Sequence, residues 1–214
     1  MKLAPRGAIF DLNGTLVDDL RFHFDAWRSF AKKRGIAIDD AFLQSINGLK
    51  NEDIFPKIFG RAVPLEELRV LEAEKEGEYR ALYRPHLAPV RGANELLERL
   101  HRDGVKLAVA SSAPPENRAL VIEGLGWQSR FDVIVASEGL PGKPAPDVFL
   151  AAATAIGVEP AECVVFEDAV NGVRAAVAAG MKVIGITTVL DASTLLSAGA
   201  AITVAHFDEV PWPP

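Results

Sequence analysis

What the chain lacks narrows its class first. Of 214 residues only one, Cys163, is a cysteine, so no internal disulfide can form and a reducing, cytoplasmic setting is expected. Cys163 sits in an apolar run and reads as a small buried hydrophobe rather than a reactive thiol. No segment approaches the roughly 20 apolar residues of a membrane span, and the opening Met1-Lys2-Leu3-Ala4-Pro5-Arg6-Gly7 has neither a long apolar core nor a cleavage pattern. A basic excess is missing too: 23 Lys and Arg stand against 29 Asp and Glu, a formal charge of -6 without long acidic runs. This offers no footprint for nucleic acid, and a small anionic ligand would have to be met by local cations. Internal repeats and low-complexity segments are also absent. The expectation is a monomer whose partner is a small molecule, with no membrane and no nucleic acid involved.

What is present has an order. The length exceeds a typical single core, which favours one main domain with a sizeable insertion or two small domains. An apolar run, Ala8-Ile9-Phe10, closes at Asp11 and is followed by the turn-like Leu12-Asn13-Gly14-Thr15. Residues 20–83 then read as helices, with Phe22, Ala26 and Phe30 on one face, Leu65, Leu68 and Leu71 on another, and Gly35, Gly48 and Gly60 as punctuation. From about residue 91 the pattern alternates. Short apolar runs at 105–110, 131–136, 163–166 and 181–186 are separated by helical stretches near 115–124, 146–156 and 169–179. Nearly continuous apolar strands between helices indicate a parallel sheet covered on both faces. The fold class predicted is α/β: a doubly wound parallel sheet, or Rossmann-like core, over residues 1–17 and 86–214, with an inserted helical cap at 18–85. The tail Val210-Pro211-Trp212-Pro213-Pro214 cannot be helical and is expected at the surface.

Four chemically active positions fall at or just beyond the ends of predicted strands. They are Asp11, Ser111 with Ser112 beside it, Lys143 in Gly142-Lys143-Pro144-Ala145-Pro146-Asp147, and the pair Glu167-Asp168. Parallel strands bring their carboxyl ends to one rim, so these positions become neighbours in space. A phosphoryl ligand gives each a task. One carboxylate attacks phosphorus and carries the group covalently, two further acids hold a Mg²⁺, and a lysine and a hydroxyl bind the remaining oxygens. Without such cations, an anionic nucleophile would be repelled by the phosphate.

The phrase Phe-Asp-Leu-Asn-Gly-Thr-Leu-Val-Asp-Asp around Asp11 resembles the first signature of the haloacid dehalogenase superfamily, and Ser111, Lys143 and Glu167-Asp168 match its other three. Gly-Lys-Pro-Ala-Pro-Asp-Val-Phe and Phe-Glu-Asp-Ala-Val-Asn-Gly-Val-Arg-Ala-Ala are similar to the β-phosphoglucomutase-like and sugar-phosphatase branch. The resemblance implies Asp11 as nucleophile, Mg²⁺ held by Asp11, Asp168 and the backbone carbonyl of Asn13 with Glu167 beside it, and phosphate contacts from Ser111 and Lys143. It also implies a cis Lys143-Pro144 bond. In the cap, the segment 18–27 with His23 and Trp27 resembles a cap-opening segment that faces substrate, and 47–53 matches a specificity loop containing Gly48 and Lys50. There Asn51 stands where that branch carries an arginine for a distal phosphate, and Lys75 matches a substrate-side lysine.

Asn13 departs from the family, whose phosphotransferases usually carry a second aspartate there. That acid protonates the leaving oxygen and later activates the acceptor, which an amide cannot do. Asn13 is compatible with an engineered substitution, with a natural variant using another base or turning over weakly, and with altered chemistry of the phosphonoacetaldehyde hydrolase kind, for which Lys50 lies near the place of a Schiff-base lysine. The leading expectation is a Mg²⁺-dependent phosphatase acting on a small sugar-phosphate-like metabolite. A β-phosphoglucomutase-type phosphomutase, a catalytically silent phosphate-binding protein and phosphonoacetaldehyde hydrolase-like C–P bond cleavage are the alternatives.

Overall fold

The computed structural model describes residues 5–47 and 49–212. Among them, six parallel strands form one sheet: β1 (Gly7–Phe10), β2 (Lys106–Ser111), β3 (Val133–Ala136), β4 (Cys163–Glu167), β5 (Lys182–Ile186) and β6 (Ile202–Val204). Their order is β3-β2-β1-β4-β5-β6. The chain thus works outward from β1 in one direction, returns, and works outward in the other, which leaves a switch point between β1 and β4. The helices among these residues are α1 (Leu20–Lys33), α2 (Asp40–Ser45), α3 (Asn51–Phe59), α4 (Leu65–Tyr83), α5 (Ala93–Arg102), α6 (Pro115–Gly124), α7 (Asp147–Ile156), α8 (Val170–Ala178) and α9 (Ala192–Ala198). None is long and apolar enough to cross a membrane.

The central strands are continuous apolar runs because both of their faces are covered. Ile9 and Val165 point into a cluster with Val148, Phe149 and Ala152 of α7 and Val173 and Ala176 of α8. The next residues along the two strands, Phe10 and Phe166, stack with ring centroids 4.6 Å apart and meet Phe207 on the opposite face. Phe10 is in register with Val109 of β2 and Phe166 of β4. Asp11, Ser111 and Glu167 therefore arrive together just past that level.

The chain divides into two compact units, Met1–Asp18 with Ala88–Pro214, and Asp19–Leu87. The second has its own core of Trp27, Phe30, Leu43, Ile46, Ile54, Phe55 and Leu71. Phe22, Ala26 and Phe30 are buried along α1, as their spacing predicts. The α4 stripe differs from the one predicted. Leu65 is 59% exposed, and the buried positions are Leu71, Lys75, Glu76, Tyr79 and Tyr83. Lys75 and Glu76 can occupy that face because they pair with each other at 2.8 Å, so a helical stripe that apolar counting misses still keeps its period.

Sequence reading also passed over α5, α9 and β6. The last has only three residues, and α9 buries only Leu195. The tail is less superficial than expected, since Val210 is buried and the Trp212 indole donates to Asp103 at 3.0 Å.

Candidate active site

The first strand delivers Asp11, and the backbone fixes the turn that follows. The Leu12 carbonyl accepts from Leu16 N at 2.9 Å and Val17 N at 3.2 Å, while Gly14 N donates to Val17 O at 2.7 Å. Gly14 has φ +82, and a Cβ there would lie 2.2 Å from Asp168 Oδ2. Glycine is required on both counts. Asp11 N donates to Phe166 O at 3.0 Å, which ties the nucleophile candidate across the switch point to β4.

Lys143 reaches the same place from the loop after β3, through a cis Lys143-Pro144 bond. Its Nζ lies 2.6 Å from Asp11 Oδ1 and 3.0 Å from Glu167 Oε1. Burial works against its charge, but the two carboxylates outweigh burial and hold its pKa above the ordinary lysine value. Glu167 turns its other oxygen to the chain, accepting from Asp168 N at 2.6 Å and Ala169 N at 3.1 Å. Asp168 Oδ1 accepts from the Thr15 hydroxyl at 2.8 Å. Burial, then the charges of Glu167 and Asp11, push the Asp168 pKa well up. Ser111 ends β2 with its Oγ accepting from Ala113 N at 3.1 Å, and Ser112 follows it, half-buried, on the same loop.

Asp11, Glu167 and Asp168 each present an oxygen within 4.8 Å of the others. Three buried carboxylates against one lysine leave a negative excess, and the donors are all hard oxygens. That set suits a small hard divalent cation and does not suit a thiophilic or imidazole-seeking metal.

A model of haloacid dehalogenase-like hydrolases matches residues 5–180. The chain belongs to that family. It is 34% identical over 212 residues to the validoxylamine A 7'-phosphate phosphatase of Streptomyces hygroscopicus subsp. limoneus, covering 96% of each chain. It is 32% identical over 194 residues to the β-phosphoglucomutase of Bacillus subtilis, covering 85% of this chain and 83% of that one. The crystal structure of a β-phosphoglucomutase from Clostridium difficile superposes with a TM-score of 0.85 at 28% identity, over 97% of this chain and 94% of the other.

The remaining candidates lie in the helical unit, except Gly48, which falls outside the described residues. Trp27 is buried in the apolar core, edge-on to Phe30 and Phe55, with the Lys75 ammonium 4.7 Å from its ring centre. Lys75 Nζ is 2.8 Å from His23 Nδ1 and 2.8 Å from Glu76 Oε1. The His23 ring stacks on Tyr79, centroids 3.7 Å apart, and the Tyr79 hydroxyl donates to Asp19. The Asn51 amide donates to Glu72 at 2.8 Å and to Glu76 at 2.9 Å. Lys50 stands at the N-terminal boundary of α3, and its Nζ lies 3.7 Å from Glu52 Oε1. The structure thus gathers His23, Asn51, Lys75 and Glu76 into one polar group, with Lys75 and Glu76 buried and His23 and Asn51 half-buried, and Trp27 packs beside it.

That group has a pH signature. Burial first, then the Lys75 charge, lowers the His23 pKa from 6.5 to about 3, so the folded ring is neutral. For Glu76, burial opposes ionisation, but Lys75 and His23 bring its pKa down to about 2. In both cases the unfolded chain binds the proton more readily, so stability is lost as pH falls, from 6.5 toward 3 for His23 and from 4.5 toward 2 for Glu76. Stability against thermal unfolding should fall on going from pH 7.5 to pH 5, with a slope from His23 of up to about 1.4 kcal/mol per pH unit. His23→Gln should flatten that part of the profile, and an unaltered slope in this variant would contradict the assignment.

Two contributors to the site escaped sequence reading. Thr15 was visible as part of a Gly-Thr turn but has no task until Asp168 arrives beside it. Thr188, in the loop after β5, donates to the Gly14 carbonyl and so holds the same turn from the other side.

Proposed function

We propose that this chain is a Mg²⁺-dependent phosphatase for a small sugar-phosphate-like metabolite, working through an aspartyl-phosphate on Asp11. The observation that carries the reading is the shared lysine. Lys143 bridges Asp11 and Glu167 at the carboxyl edge of β1 and β4, where ligands of doubly wound sheets bind.

In the first step an Asp11 carboxylate oxygen forms a bond to phosphorus while the ester P–O bond breaks, and the leaving oxygen takes a proton. In the second, water attacks the same phosphorus, the acyl-phosphate bond breaks, and inorganic phosphate leaves with Asp11 restored. Lys143 supplies positive charge to the phosphoryl oxygens, and Ser111 supplies a hydroxyl. Asp11, Asp168 and the Asn13 carbonyl would hold Mg²⁺, with Glu167 alongside. When bound, the ion neutralises the anionic oxygens that otherwise repel the nucleophile. Thr15 keeps one Asp168 oxygen engaged and leaves the other for the cation. Asn13 has no proton to exchange, so protons come from solvent and turnover is slow.

Hydrolysis is favoured over phosphomutase chemistry by Asn51. It stands where the mutase-like branch carries an arginine, and its amide is spent on Glu72 and Glu76 of the same unit. The helical unit, 19–87, is assigned the choice of substrate.

The test is phosphate release from a panel of sugar and polyol phosphates, with Mg²⁺ and with EDTA. Release that depends on Mg²⁺ is the expected result. Release that persists undiminished in EDTA would overturn the metal-dependent mechanism.

A further inference from the structure

Glu167 sits where little else could. An ideal Cβ added at Gly172, in the first turn of α8, would lie 1.6 Å from Glu167 Oε1, 2.1 Å from its Cδ and 2.7 Å from its Cγ. The glycine has ordinary helical geometry, so its missing side chain serves space and not backbone freedom. The oxygen seated in this notch is the one that receives Lys143, while the other is held by the amides of Asp168 and Ala169. Both carboxylate oxygens are therefore occupied in orienting their neighbours.

We infer that Gly172 is a positioning residue: it seats the Glu167 carboxylate so that Lys143 is shared with Glu167 instead of collapsing onto Asp11. Lys143 Nζ lies closer to Asp11 than to Glu167, 2.6 Å against 3.0 Å. Pushed out of the notch, the Glu167 carboxylate would lose its hold, and the lysine would become a full counter-ion to Asp11. An oxygen so neutralised is a poorer nucleophile, and an ammonium so engaged has less to offer a phosphate. The three atoms nearest the Gly172 Cβ position all belong to Glu167, and the effect of the glycine runs through that carboxylate.

The inference rests on the phosphoryl reading above, and a double-mutant cycle on the full chain separates the two. Binding of inorganic phosphate in the presence of Mg²⁺ is measured by calorimetry for the parent, Gly172→Ala, Glu167→Ala and the double variant. Gly172→Ala should weaken phosphate binding roughly 10- to 100-fold, the usual range for residues that orient a site from behind. In the Glu167→Ala background the same change should alter affinity by no more than about twofold, because the overlapping carboxylate is gone. Equal losses in both backgrounds would show that Gly172 acts through general packing and would overturn the inference, as would parent-like affinity in Gly172→Ala. If Gly172→Ala does not fold, recovery of a folded protein in the double variant supports the notch, and failure of the double variant as well overturns it. A parent that binds no phosphate would defeat the phosphoryl reading and this inference with it.

Discussion

Replacing Asn13 by aspartate is expected to raise phosphate-releasing turnover by about 10²- to 10⁴-fold, the scale of a positioned acid–base group. The reason lies in what the two side chains share and what they do not. Asparagine and aspartate have the same shape, and the turn that carries position 13 is held by backbone bonds from Leu12 to Leu16 and Val17 and from Gly14 to Val17. The carbonyl of residue 13 should therefore keep its direction after substitution. A carboxyl group adds a proton that can pass to the leaving oxygen and an oxygen that can later take one from water. Both half-reactions gain, so the increase should appear in kcat, with Mg²⁺ affinity changed by a small factor only. Steady-state kinetics with a responsive ester and titration with Mg²⁺ check the two halves. An unchanged or lower rate in Asn13→Asp would mean that the amide belongs to the working site, as in a silent phosphate-binding protein or one with different chemistry.

The rim was legible because parallel topology turns chain order into proximity. Once Ala8-Ile9-Phe10 and Val164-Val165-Phe166 are read as neighbouring strands, Asp11 and Glu167-Asp168 must meet, and β1 and β4 do pair in that register. Lys143 needed less inference, since its loop leaves β3 toward the same edge. The parts that stayed hidden are of two kinds. Thr15 and Gly172 act only on acids that fold up against them, Thr15 on a residue 153 positions away, and neither a turn hydroxyl nor a helical glycine alters hydrophobic periodicity. The α4 face was misread for another reason. Lys75 and Glu76 are buried as a mutually neutral pair, and apolar spacing cannot register a charged residue whose cost is offset by its neighbour.

Asp11→Asn, made in the Asn13→Asp protein so that the baseline is measurable, should lower turnover by about 10⁴-fold or more, because an amide oxygen is not a competent nucleophile and no other step can replace the covalent one. The same substitution makes an opposite prediction for stability. Three carboxylates within 4.8 Å of one another face a single lysine, and the Asp168 pKa is pushed up by burial first and then by the charges of Glu167 and Asp11. Removing one negative charge while keeping the shape relieves the repulsion among them, and Lys143 retains Glu167 at 3.0 Å as its counter-ion. In EDTA the variant should therefore melt at a higher temperature than its parent. At saturating Mg²⁺ the order should reverse, because the parent offers the cation a full carboxylate at position 11 and gains the larger stabilisation from binding. Melting curves under the two conditions test this directly. A variant that is less stable than its parent in EDTA would show that the Lys143–Asp11 pair outweighs the crowding of acids. A variant that keeps parental turnover would remove Asp11 from the chemistry altogether.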